Sequence, residues 1–191
     1  MGTINSIVID IFKGISFSQK EIDFIRSKIK KVVLTKGDII ITPNISVTSQ
    51  YYVTNGCLRS YFVDTSGKEH TIQFAIEDWW ISDYTSLFAS EKSIMSVECL
   101  QDAVVYQFPR ENFEELCVLY PKIELFVRKK LEKAYASFQK RILDNFSKSA
   151  KDRYLLFIKR YPNIEKSVKN YHIASYLGIT TESLSRIRKT T

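Results

Sequence analysis

The rhythm of hydrophobic and polar positions changes once along this chain, near residue 110. Before it, apolar residues come in runs of four to six, at 31–34, 39–42, 51–54, 58–63, 70–75, 95–100 and 104–108. These runs are rich in Val, Ile, Tyr and Phe, which suit a pleated, half-buried surface, so each reads as a strand. Turn-forming residues separate them: Lys36-Gly37-Asp38, Pro43-Asn44, Asn55-Gly56, Asp64 to Gly67 and Gln101-Asp102. Short strands at such spacing predict an antiparallel sandwich or barrel, with Asn55-Gly56 and Ser66-Gly67 as hairpin tips. Ahead of them, residues 18–30 read as a helix opened by the capping box Ser18 to Glu21.

Beyond residue 110 the period lengthens to that of helices, predicted over 111–119, 122–145 and 150–160. Tyr120-Pro121 and Tyr161-Pro162 stop two of them, because proline disfavours helical geometry in the residue before it. Residues 163–169 read as a linking segment. In the long helix, Leu131, Tyr135, Phe138 and Ile142 step by four, three and four, flanked by Arg128, Lys129, Lys133, Lys140 and Arg141. This coiled-coil-like seam has two readings, an interface between two copies or a helix packed on its own domain. The expected organisation is a β-rich domain over 1–120, a long dimerisation helix over 121–146 and a helical domain over 147–191.

The segment 170–189, NYHIASYLGITTESLSRIRK, has the grammar of a helix-turn-helix. Ala174 is small where two helices approach, and Gly178 follows where the turn needs positive φ. Ile179 plugs the turn, while Ile173, Leu177, Leu184 and Ile187 supply helix-to-helix contacts. Thr180 is a suitable N-cap, with Ser183 rather than Glu three residues on, so a simple cap is expected. The second helix then offers solvent a polar face of Thr181, Glu182, Ser185, Arg186 and Lys189, with Arg188 nearby. Arg can fork onto guanine, Glu can accept from a cytosine amino group, and Ser or Thr serves bases or phosphates. The blander reading is a helical hairpin with a solvated outer face.

Charge supports a polyanion partner for the rear of the chain. Residues 1–120 carry a net −4 and residues 121–191 a net +11, within an overall +7. Cys57, Cys99 and Cys117 are widely separated, and His70 and His172 are the only histidines, so neither a metal nor another cofactor is expected. No apolar run reaches membrane-spanning length and no secretory leader is recognisable, which predicts a cytoplasmic protein without a membrane partner. One roll histidine is too few for cupin-type metal chemistry, and GxSxG, P-loop and dinucleotide motifs are missing, so no enzyme is expected.

With these residues in view, the chain resembles the Crp/Fnr regulator superfamily, especially its Bacteroidetes-type forms. The resemblance is carried by IASYLGITTESLSRIRK, by KDRYLLFIKRYPNI before it, and by the hairpin YYVTNGCLRSYFVDTSGKEHTIQF. It implies an α+β protein: an N-terminal antiparallel β-roll of the cyclic-nucleotide-binding type (a double-stranded β-helix or jelly roll), a long dimerisation helix and a C-terminal (winged) helix-turn-helix domain. Thr181, Glu182 and Arg186 would contact bases and Ser183, Ser185 and Lys189 would lie near phosphates, with Thr180 and Arg188 also among the DNA-binding residues. The implied partners are double-stranded DNA, a second copy of the chain, and RNA polymerase. Well-known members have Arg where this chain has Thr181, which implies a different half-site. The sequence given ends at Thr191, two residues past the motif, so any wing is expected from the segment before it.

The sensor departs further from the resemblance. Nucleotide-binding members open their phosphate cassette with Gly-Glu and close it with Arg-Ser or Arg-Thr, whereas this chain has Glu77-Asp78-Trp79-Trp80 and Glu91-Lys92-Ser93-Ile94. Lys92 lacks the bidentate fork of Arg, so cyclic AMP is not expected as effector. Phe74, Glu77, Trp79, Trp80, Tyr84, Lys92 and Ser93 are the candidate pocket for another small molecule, and an ordinary aromatic core patch is the competing reading. The function read from the residues is a dimeric, sequence-specific DNA-binding transcription regulator. A dimeric sensor or adaptor whose helix-turn-helix no longer reads DNA is the alternative.

Overall fold

The computed structural model describes residues 6–190. Two short helices, α1 (Ser6–Ile11) and α2 (Gln19–Ser27), lead into β1 (Lys30–Leu34), β2 (Ile39–Ile41), β3 (Ser49–Val63), β4 (Glu69–Ala75) and β5 (Trp79–Ile81). A helical turn, α3 (Tyr84–Ala89), separates β5 from β6 (Ser96–Pro109). The rest is helical: α4 (Arg110–Leu119), α5 (Pro121–Ser147), α6 (Ala150–Arg160), α7 (Pro162–Ser167), α8 (Asn170–Leu177) and α9 (Thr181–Lys189). The fold is therefore α+β, with an antiparallel roll, a long helix and a C-terminal helical region.

The strands form one antiparallel sheet in the order β1-β6-β3-β4, with β2 added to β6 and β5 to β3. Its frame is two long strands of 15 and 14 residues, each bent so that its two halves serve different neighbours. This corrects the hairpin expected at Asn55-Gly56: the chain runs through it as β3, and Gln101-Asp102 likewise lies inside β6. Gly56 has φ +93°, and a Cβ there would sit 2.5 Å from the Asp102 carbonyl oxygen and 2.6 Å from Ala103 Cβ. Asn-Gly marks a need for positive φ, which a bulge satisfies as well as a turn. Ser66-Gly67 is a true tip, where the Asp64 carboxylate accepts from Ser66 N (2.8 Å) and Lys68 N (3.1 Å).

Three apolar clusters hold the fold. Leu34, Val53, Leu58, Val97 and Val105 fill the roll. Phe12, just after α1, and Ile25 of α2 pack with Phe108, Leu116 and Ile123 at the root of α5. A third cluster joins Cys57, Phe74 and Leu100 on the outside of the roll to Phe157, Tyr161, Ile173, Leu177 and Leu184 of the C-terminal helices. The free edge of β4 is covered there. Ser175 Oγ donates to Glu69 O (2.8 Å) and accepts from Thr71 N (2.8 Å), while Arg141 donates to Ile72 O at 2.5 Å.

Beyond its root, the apolar stripe of α5 has no such cover among the described residues. Leu131, Tyr135, Phe138 and Ile142 are 46, 70, 48 and 40% exposed. Most of the segment 163–169, expected as a linker, is α7, begun by Pro162 at a first-turn position where its missing N–H costs nothing.

Candidate nucleic-acid interface and sensor

The helix-turn-helix forms as its sequence dictates. Gly178 caps α8 in the left-handed region (φ 66°), and Ile179 N donates to Ala174 O at 3.0 Å. Ile173, Ala174, Leu177 and Leu184 are buried between the helices. Thr180 Oγ1 accepts from Ser183 N at 3.2 Å, the simple cap expected. Thr180, Glu182, Ser185, Arg186 and Lys189 lie exposed along α9, with Thr181 and Ser183 half-buried beside them. The Glu182 carboxyl is held below its usual range by its own backbone N–H and by the Thr180 and Thr181 hydroxyls, so it is an acceptor at neutral pH. Arg186 spends one amino group on Ser183 Oγ at 3.4 Å, leaving other donors for a partner.

Arg188 belongs to a different set. Its guanidinium turns inward to Glu165, 2.9 Å from the carboxylate and 3.1 Å from the carbonyl, and also donates to Asn170 Oδ1. Four residues after the buried Leu184, it falls on the domain side of α9 and ties that helix to α7.

The candidate effector residues are not gathered around one cavity. Trp79 and Trp80 are neighbours on β5 and face opposite sides of the sheet. Trp79 lies 5.6 Å from Tyr161, whereas Trp80 packs on Phe108 at 4.8 Å and Tyr52 at 5.3 Å. Phe74 is fully buried against Phe157, Tyr161 and Tyr176, and Tyr84 stacks on Phe88 at 5.4 Å. Glu77 and Lys92 are exposed, and Ser93 is buried with its hydroxyl donating to Asp83.

Asp83 is the residue that sequence reasoning missed. Fully buried, it caps α3, accepting from Thr85 N (3.0 Å) and Ser86 N (3.2 Å) with one oxygen and from Ser93 Oγ (2.8 Å) and Ile94 N (3.2 Å) with the other. Burial pushes its carboxyl up, but these bonds outweigh it and hold the group below its ordinary range. The cassette-like stretch thus carries its own anion. The local pattern Asp83-Tyr84-Thr85-Ser86 was a readable N-cap signal.

His172 of α8 is a second buried polar group. It is 3% exposed; desolvation and the nearby Arg59 and Lys169 charges push it down to about 4. The unfolded chain takes up a proton near pH 6.5, the folded one only near 4, so its contribution is complete above pH 6.5 and lost as pH falls towards 4. About 3 kcal/mol of stability is expected to disappear across that window. Urea titrations at steps between pH 7 and 4.5 measure it; His172→Gln should flatten the slope, and an unchanged slope contradicts the assignment.

Cys57 and Cys99 are buried thiols pushed by desolvation up to about 12 and about 11, which leaves them unreactive. Among the described residues no group of three His, Cys, Asp or Glu is placed to hold a metal, and no helix is long and apolar enough to cross a membrane.

Residues 31–120 match the cyclic nucleotide-binding domain family. The anaerobic regulatory protein of Haemophilus influenzae is 23% identical over 184 residues, covering 90% of this chain and 71% of that protein. Among solved structures, FixK2 of Bradyrhizobium japonicum superposes with a TM-score of 0.73 at 17% identity, over 85% of this chain and 83% of its own. A Crp/Fnr-family transcriptional regulator of Thermus thermophilus gives 0.67 at 17% identity, over 84% of each chain. A roll that matches the cyclic nucleotide-binding domain family, a long helix and a helix-turn-helix, in this order, make the chain similar to regulators of the Crp/Fnr type.

Proposed function

We propose that the chain works as a homodimer that reads a near-palindromic DNA site, with its β-roll responding to something other than a cyclic nucleotide. The observation that carries this reading is the exposed polar and basic face of α9, held rigidly by the capped turn before it. Thr181, Glu182 and Arg186 are assigned to base edges, and Thr180, Ser183, Ser185 and Lys189 to the backbone; Arg188 is assigned to holding α9 in place. The uncovered stripe of α5 supports pairing through Leu131, Tyr135, Phe138 and Ile142, since a monomer leaves that stripe in water. Two recognition helices related by a two-fold axis would enter major grooves about 34 Å apart.

The division into 1–120, 121–146 and 147–191 fits these roles, although the third cluster spans the roll and the C-terminal helices. Asp83 supports the exclusion of cyclic nucleotides, because its buried carboxylate uses donors that an incoming phosphate would need. RNA polymerase is the further partner this role implies.

Light scattering is expected to give twice the 22.2 kDa chain mass. DNA affinity is expected to fall with salt at a log–log slope steeper than about −2, since Lys189 of each copy neutralises a phosphate. A strictly monomeric mass with and without DNA, or a flat salt response, contradicts the proposal.

A further inference from the structure

A cavity of about 310 Å³ opens where the C-terminal half of α5 meets α6 and α8. Five cations line it, Lys140, Arg141, Arg153, Lys159 and Arg160, against the single carboxylate Asp144. None of the five is in a salt bridge among the described residues, and Asp144 itself reaches Lys148 at 3.7 Å. Such convergence of like charge raises the energy of the empty site and is relieved by a bound anion. Arg153 uses its amino groups on Lys148 O (2.9 Å) and Leu177 O (3.2 Å), while its buried Nε has no hydrogen-bond partner among the described residues. Phe157, Tyr161 and Tyr176 supply aromatic wall, and the Arg160 guanidinium lies 5.5 Å over Tyr161 and 5.2 Å over Trp79.

We propose that this cavity is a binding site for a small, multiply charged anion bearing a planar ring, of the class of phosphorylated heterocycles. Guanidinium groups pair with phosphate in bidentate fashion, and the aromatic walls offer faces for a ring. The volume is at the lower end of the range for small-molecule sites, roughly 300 to 1,000 Å³. The site is separate from the cassette-like stretch around α3. Lys140 and Asp144 are about 120° or more around α5 from Leu131 and Phe138, whereas Arg141 is about 60° from Phe138 with its guanidinium 5.2 Å over that ring, so the cavity borders the dimer seam on one side. Its walls come from the long helix on one side and from the C-terminal helices on the other, so occupancy fixes α6 and α8 relative to α5. This goes beyond the DNA-reading proposal and does not depend on it.

Titration calorimetry of the full chain, without DNA and at low ionic strength, tests the site with inorganic pyrophosphate, 5′-AMP and 5′-GMP as probes. Saturable binding near one per chain is expected, tighter for the nucleotides than for pyrophosphate. The triple variant Lys140→Gln, Lys159→Gln, Arg160→Gln should bind at least about ten-fold more weakly, a loss of about 1.4 kcal/mol. Lys30→Gln, Lys31→Gln, Lys36→Gln removes the same charge from exposed positions on the roll and should leave binding unchanged. Melting curves establish that both variants are folded. Binding that does not saturate, or that both variants weaken equally, overturns the site. So does a cavity variant that loses only DNA affinity and salt dependence, which would assign these cations to the DNA backbone.

Discussion

Replacing Arg59 with alanine is expected to cost about 2–4 kcal/mol of folding stability, since the buried guanidinium is lost while the carboxylates it leaves are partly reached by water. Arg59 is 2% exposed in the bent second half of β3. Its guanidinium donates to Glu98 Oε2 (2.9 and 2.7 Å), Glu69 Oε2 (2.5 Å) and Thr71 Oγ1 (3.4 Å) and lies 3.9 Å over the Tyr61 ring. Without it, two carboxylates on β4 and β6, the strands on either side of β3, are left with no counter-charge between them. The damage reaches the helix-turn-helix, because Glu69 O and Thr71 N are the groups on which Ser175 docks α8. Urea unfolding of Arg59→Ala and of the double variant Arg59→Met, Glu98→Gln separates charge from packing. The double variant should recover part of the loss, and a loss below about 1 kcal/mol in Arg59→Ala would remove the network from the account.

Arg186→Ala is expected to weaken specific DNA binding by about 1–3 kcal/mol per half-site, and by up to twice that across a symmetric site. The side chain is exposed on α9 and shares one donor with Ser183, so its removal disturbs no buried contact. Fluorescence anisotropy on a selected duplex and on random duplex distinguishes the two roles open to an exposed arginine. A base contact lowers specific affinity and relaxes preference at one base pair, whereas a phosphate contact lowers both affinities alike. Arg188→Ala makes the opposite comparison. It breaks the pair with Glu165 and should appear first in the melting temperature, with base preference retained.

Features encoded within a few residues were legible before the structure. The capping box at Ser18, the turn at Gly178 and the cap at Thr180 each appear where local chemistry puts them. Helices α4, α5 and α6 match their predicted spans because period and proline stops act locally. The errors have physical causes. Gly56 signals positive φ but not whether the chain turns back or bulges, so β3 and β6 were each read as two strands. Trp79 and Trp80 read as pocket residues, and only the pairing of β5 with β3 shows that they face opposite sides. Arg59 with Glu98, and Ser175 with Glu69, are brought together by strand pairing and helix docking across 39 and 106 residues, which no local pattern encodes. Arg188 could have been assigned inward from its place one turn after Leu184, but its partner Glu165 lies in a helix the sequence did not announce.

Selection of bound duplexes from a random DNA pool, at about 150 mM salt where non-specific electrostatic binding is weakened, tests the central claim most directly. The native chain is expected to enrich a two-fold symmetric site whose half-sites are centred about 10 base pairs apart, and Arg186→Ala to lose it. Failure of the native chain to enrich any symmetric site, both in buffer and in cell extract, would contradict the account and make the helix-turn-helix a structural element of a sensor.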